Sequence, residues 1–343
     1  MSRAAVPRAG AQESRVGPSE SRVGPRAAAW VDGQWDKAHY LAPAGGGFPA
    51  LGLDYGLYVP QGATSRARPL VVMLHGCSQS SDAFARGTRM NVLADRYGFA
   101  VLYPEQTAQR HPQACWHWYD TTPAAGGAEA HAIVALVDRV VEQHGFDATR
   151  VYAAGLSAGA GMATMLAFAY PDRFAAVAAH SGVVFGVARS VPSALDAMRR
   201  GTTRDPAEVA RAALPAAGHP GMPALLLHGD RDEVVSPVNL EQLETEFLVL
   251  NGLMDEQGTL VDVTLAVSEH ETYRQRVYQR AGRDVVKVYR VAELGHAWSG
   301  GDDTVPFHAG IGPDASEEIW AFFSQERRLP RAAQAVLEVI DTL

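Results

Sequence analysis

The run "VYAAGLSAGAGMATMLAFA", from Val151 to Ala169, constrains this chain more than any other stretch. Its first residues are apolar and suit a buried strand. Its last are small and suit a helix. Only Gly155-Leu156-Ser157-Ala158-Gly159 separates the two, so a strand must turn straight into a helix with one hydroxyl at the corner. Such a turn strains the serine backbone and lifts its side chain above the sheet edge. Glycines on both sides remove side chains that would collide with neighbouring elements. The helix beginning behind the serine offers its free N–H groups and positive dipole end to a developing negative charge.

The rest of the chain repeats this strand-then-helix rhythm. Leu51 to Pro60 alternates like a strand, and "PLVVMLH" (Pro69 to His75) is a short continuous apolar run. Such a run fits a strand buried on both faces. Further strands are read at Gly98 to Glu105, Arg150 to Ala154, Phe174 to His180, Pro223 to His228 and Asp284 to Val291. Helices are read at Arg86 to Arg96, at Ala128 to His144 with Gly145 as its C-cap, and at 331–343. Strands alternating with helices imply an α/β fold: a mostly parallel central sheet with helices on both faces. Two segments, 187–221 and 251–273, fit the rhythm poorly. They are taken as insertions in one catalytic domain spanning 29–343, the first being either a lid or a surface addition.

Residues 1–28 hold a near-repeat of "ESRVGP" and little to bury. They read as a disordered tail. No apolar core of a secretory leader is visible there. That points to the cytoplasm, or to secretion if the start is misassigned or processed. The net charge of -8 argues against nucleic acid as the main partner, and no run has the roughly 18 apolar residues of a membrane span. The two cysteines, Cys77 and Cys115, lack zinc spacing. They are either two buried thiols or one disulfide.

A serine hydroxyl is a weak nucleophile, so it needs a base, and the base needs an orienting acid. Where a serine sits on such a turn, acid and then base follow it in the chain. "LLLHGDRDEVV" (Leu225 to Val235) is a buried strand, a turn and three acids; "LGHAWSG" (Leu294 to Gly300) is a glycine-flanked histidine after a strand. Asp232 lies 75 residues after Ser157, and His296 lies 64 after Asp232. Each gap has room for a strand and a helix. Asp230 and Glu233 are rivals for the acid; Asp230, nearer the strand, suits bonding loop amides. His75 and His228 each end a buried strand and read as structural, and His308 is a minor rival for the base. An oxyanion would be held by the amide of Ala158, just after the serine, and by the amide of Cys77, where Gly76 lets the backbone approach. This chemistry calls for no metal and no organic cofactor.

Five blocks in order carry a resemblance. They are Leu74 to Gln106 ("LHGCSQSSDAFARGTRMNVLADRYGFAVLYPEQ"), "CWHWY" from Cys115, "GLSAGAGM" from Gly155, "HGDRDEVV" from His228 and "GHAWSGG" from Gly295. Together they resemble the poly(3-hydroxybutyrate) depolymerase family of serine esterases, which includes feruloyl and acetylxylan esterases. The likeness runs from about Leu51 to Phe323. It implies an α/β-hydrolase fold, a Ser157–Asp232–His296 triad, Cys77 as an oxyanion donor, and a Cys77–Cys115 disulfide beside the site. The implied function is cleavage of polyhydroxyalkanoate polymer or oligomers, or of related polyesters and short-chain esters. The alternative is a feruloyl or acetylxylan esterase acting on plant polysaccharide. Ser78, His117 and Ala160 depart from residues common in that family (Thr, Asn and Gly), and His117 is the departure that bears on substrate preference. Trp116, Trp118 and Trp298 are candidate substrate-binding rings; the competing reading is that they pack the core or rim. Oligomeric state is not legible.

Overall fold

The computed structural model describes residues 32–62, 66–216 and 218–328. The 1–28 tail and the helix expected over 331–343 lie outside them. The first half of the chain contributes β1 (Gln34–Ala42), β2 (Leu51–Val59), β3 (Leu70–Leu74), α1 (Ser81–Thr88), α2 (Met90–Tyr97), β4 (Ala100–Glu105), α3 (Gly126–His144), β5 (Val151–Leu156) and α4 (Ala158–Ala169). Then come β6 (Ala176–His180), α5 (Val191–Arg200), α6 (Pro206–Ala213), β7 (Ala224–Gly229), α7 (Val238–Leu250), β8 (Thr264–Glu269), β9 (Tyr273–Arg280) and β10 (Arg283–Val291). The short β11 (Trp298–Ser299) and β12 (His308–Ala309) pair with each other, and α8 (Ala315–Phe323) follows.

Ten strands form one sheet in the order β1-β2-β4-β3-β5-β6-β7-β10-β9-β8. The centre, from β4 to β10, is parallel. Antiparallel pairs extend both edges. This is the α/β-hydrolase arrangement. The strict two-residue period of a strand sorts the core. Leu70, Val72 and Leu74 of β3 pack on one face with α3, α4 and α7, while Val71 and Met73 pack on the other with α1, α2 and α8. Burial on both faces is why the central strands read as unbroken apolar runs.

The edges were the harder part to read. β1 ("QWDKAHYLA") is mostly exposed, and β9 ("YRQRVYQR") alternates with long polar side chains, so neither carries an apolar stripe. The helix expected over Arg86 to Arg96 is two helices, because Arg89 takes a left-handed conformation (φ 54°) between them. The 187–221 segment holds α5 and α6. The 251–273 segment holds β8, which with β9 lengthens the sheet edge.

Candidate active site

Ser157 stands between β5 and α4 with φ 56° and ψ −118°. A non-glycine residue is rarely found there unless its surroundings hold it. Here its N–H donates to the His180 carbonyl at 2.9 Å. The two flanking glycines are required by space. A Cβ on Gly155 would lie 2.3 Å from the Gly159 carbonyl carbon, and one on Gly159 would lie 2.0 Å from the Leu74 carbonyl oxygen. Strand, corner and helix therefore fit beside β3 only because both positions lack side chains.

Asp232 follows β7 on a turn tied to the loop after β10. The Asp230 amide donates to Val291 and the Arg231 amide to Leu294. Gly229 allows the approach, since a Cβ there would sit 2.1 Å from the Leu294 oxygen. That loop carries His296, whose Nδ1 is 2.7 Å from Asp232 Oδ2. Asp232 Oδ1 accepts from the amides of Val234 (3.0 Å) and Val235 (2.8 Å), and His228 Nε2 lies 3.4 Å from Oδ2. Burial works to raise this carboxyl's pKa. Hydrogen bonds from His228 and His296, the electrostatic pull of the His296 ring and the Val235 amide overcome it and hold the group well below the ordinary carboxylate range. Asp232 thus stays ionised at neutral pH. With Nδ1 committed to it, His296 has Nε2 left for proton transfer.

The rivals have other work. Asp230 accepts from the Glu293 amide at 2.8 Å, and Glu233 is exposed. His228 Nε2 is 2.9 Å from the Val235 carbonyl, and His180, never a candidate, is neutral, its pKa lowered to about 3 by burial and by neighbouring histidines. His308 Nδ1 is 2.9 Å from the Pro306 carbonyl.

The loop after β3 is clamped from several sides. His75 Nδ1 donates to the Gly76 carbonyl at 2.7 Å, and its Nε2 accepts from the Gln106 amide at 3.0 Å. Burial lowers the His75 pKa, so the ring is neutral in that one tautomer. Fixing the Gly76 carbonyl also fixes the Cys77 N–H, which points the opposite way from the same planar peptide. The Gly76 N–H donates to Gln79 Oε1 at 2.8 Å, and the Ser78 N–H to the Gln113 carbonyl at 2.6 Å. Cys77 is disulfide-bonded to Cys115. Ala158 is the first residue of α4, where a helix has no carbonyl one turn behind to occupy its amide.

The disulfide closes a 38-residue separation, worth roughly 3–4 kcal/mol in chain-entropy terms. Reduction is expected to lower the urea midpoint accordingly and to slow turnover, because the Cys77 amide loses a clamp. Urea titration and initial rates with and without reductant test this; unchanged values for both would refute it.

Ser157, His296, Gly76 and Cys77 share a cleft of about 200 Å³, whose apolar wall is Leu156, Met198, Val234 and Phe307. Gln79, Ser78 and Gln113 complete the lining. The three tryptophans are elsewhere. Trp116 and Trp298 are fully buried, Trp118 is 6% exposed, and none lines this cleft. Trp116 lies against His75, Trp298 against Phe84 and His180, and Trp118 against Gly161 of α4. They support the site from behind. His117 also stays off the cleft, paired with buried Glu129 at 2.7 Å. Met198, Val234 and Phe307 escaped the sequence reading, as they come from three distant segments. Gln79 could have been found, two positions beyond Cys77 in the same loop.

Among the described residues no cluster of three His, Cys, Asp or Glu side chains is arranged to hold a metal, and no helix is long and apolar enough to cross a membrane.

Residues 53–265 match the family described as esterase PHB depolymerase. The chain is 32% identical over 243 residues to poly(3-hydroxyalkanoate) depolymerase C of Paucimonas lemoignei, covering 70% of this chain and 57% of that protein. It is 38% identical over 140 residues to feruloyl esterase B of Thermothelomyces thermophilus, covering 40% of this chain and 47% of that one. With acetylxylan esterase A of Emericella nidulans it shares 36% over 132 residues, 38% of this chain and 42% of that one. The chain thus spans about half the length of the curated relatives it matches. Among solved structures, an acetyl xylan esterase from Aspergillus awamori superposes with a TM-score of 0.66 at 20% identity, over 84% of this chain and 99% of that one. That likeness is one of fold.

Proposed function

Because the chain belongs to the esterase PHB depolymerase family, we propose that it is a serine ester hydrolase working through Ser157, His296 and Asp232. The observation that carries this reading is the ionised Asp232 paired to His296 in the same cleft as the strained, glycine-flanked Ser157. His296 Nε2 takes the hydroxyl proton as Ser157 Oγ attacks the ester carbonyl. Asp232 keeps the imidazole in the accepting tautomer and stabilises the imidazolium. The amides of Cys77 and Ala158 receive the oxyanion, each worth about 3–4 kcal/mol in the transition state. The imidazolium then protonates the leaving alkoxide, and water attacks the acyl-enzyme by the same route in reverse.

The substrate class we infer is a short 3-hydroxyalkanoate oligoester or related ester. The matched depolymerase covers 70% of this chain, against 57% for a feruloyl esterase B of Talaromyces funiculosus and 57% for a probable acetylxylan esterase A of Aspergillus clavatus. A cleft of about 200 Å³ with apolar walls suits a short acyl unit. A carbohydrate groove around Trp116 and Trp118 would favour the plant-ester alternative, and those rings are buried. Initial rates on 3-hydroxybutyrate trimer, p-nitrophenyl butyrate and methyl ferulate decide the matter. The expected order places the trimer well above the ferulate. Preference for ferulate would move the chain to plant-ester chemistry, and no turnover of any ester would remove the esterase reading.

A further inference from the structure

Gln79 is 7% exposed and lines the cleft. Its carboxamide is oriented by chemistry, because only Oε1 can accept the hydrogen bond that the Gly76 N–H donates. The two donors on Nε2 are therefore turned away from that amide. Nε2 is buried and has no hydrogen-bond partner among the described residues. The group sits beside the nucleophile: a Cβ on Gly76 would be 3.0 Å from Gln79 Oε1 and 3.5 Å from Ser157 Cβ. Buried donors are almost always paired, so an orphan beside a reacting hydroxyl calls for a ligand that pairs it. The wall around it is apolar, formed by buried Leu156, half-buried Met198 and exposed Val234 and Phe307; besides Ser157 and His296, the other polar side chains of the lining, Ser78 and Gln113, are exposed.

We propose that Gln79 is a specificity-determining residue whose Nε2 donates to an oxygen on the acyl part of the substrate, the 3-oxygen of a 3-hydroxyacyl group. This rests on the esterase reading above. A site that hydrogen-bonds a substrate oxygen discriminates against the analogue lacking it far more sharply than an apolar pocket can, because its own buried group is then left unpaired. An unsubstituted acyl chain would leave Nε2 as it is now, whereas a 3-hydroxyacyl chain, or the ester oxygen that replaces its hydroxyl in an oligomer, would pair it. Gln79 also positions the oxyanion loop through Gly76, and the two roles separate by substitution. Gln79→Glu retains an oxygen for the Gly76 amide and replaces the donors with a carboxylate oxygen, whose added charge acts on the oxyanion of both esters alike and so cancels in their ratio. Gln79→Met removes both while keeping the side-chain length.

The experiment measures kcat/KM of wild type and both variants on p-nitrophenyl 3-hydroxybutyrate and p-nitrophenyl butyrate, with thermal melting to confirm folding. In wild type the hydroxy ester is expected to be favoured. In Gln79→Glu and in Gln79→Met that preference is expected to fall about tenfold or more. An unchanged preference ratio in both folded variants overturns the proposal, whether the two esters slow equally, as for a purely positioning residue, or neither slows. Wild-type enzyme inactive on both esters would instead overturn the esterase reading, and this assignment with it.

Discussion

Ser157→Ala is expected to lower kcat on p-nitrophenyl butyrate by roughly 10⁶-fold, the scale on which a triad nucleophile acts. The substitution removes one oxygen atom and little else. Its Cβ, which packs toward Gly76, remains. The backbone bond from residue 157 to the His180 carbonyl remains, and so does the left-handed backbone at the corner. Melting should therefore move by no more than a few degrees. The residual rate would come from the Cys77 and Ala158 amides acting on water in place of the serine. A variant that folds and keeps activity within tenfold of wild type would show that another nucleophile does the chemistry.

The same corner explains why so much of the site was legible in the sequence. Gly155 and Gly159 are dictated by contacts of 2.3 Å and 2.0 Å that any side chain would violate, so the packing wrote itself into the residue types. The central strands were legible because both faces are buried. Asp232 could be separated from Asp230 by position on the turn: the residue nearer the strand is spent on the Glu293 amide. What was lost has equally physical causes. β1 is mostly exposed and β9 is half-buried under long polar side chains, so neither presents an apolar alternation. The tryptophans are close to functional residues in sequence, yet their rings face the core. Trp298 is two residues from His296 and is fully buried, its Nε1 donating to Ser316. Beyond Leu156 at the end of β5, the cleft's apolar wall is assembled from α5, the turn after β7 and the loop before β12. No local pattern signals that three such segments will meet.

Asp232→Asn tests the orienting role, and its expected effect is a kcat lower by about 10⁴-fold with KM within a few-fold. The shape of the turn should survive, because an asparagine Oδ1 still accepts from the Val234 and Val235 amides. That choice places its Nδ2 donors where Oδ2 now accepts from His296 Nδ1. A donor facing Nδ1 favours the tautomer that carries its proton on Nε2, and that nitrogen can no longer take the proton of Ser157. The loss is thus one of chemistry, with binding largely retained. His228, whose Nε2 also lies 3.4 Å from Oδ2, cannot compensate, since it has no carboxylate to offer His296. The neighbouring acids provide the control. Asp230→Asn and Glu233→Gln should stay within about threefold of wild type, because neither side chain is the one on His296. If Asp232→Asn kept activity within tenfold while Asp230→Asn or Glu233→Gln lost it, the acid would have been misassigned on its own turn. If all three retained activity, His296 would be working without an orienting carboxylate, and the ionised state of buried Asp232 would have to be explained by the fold alone.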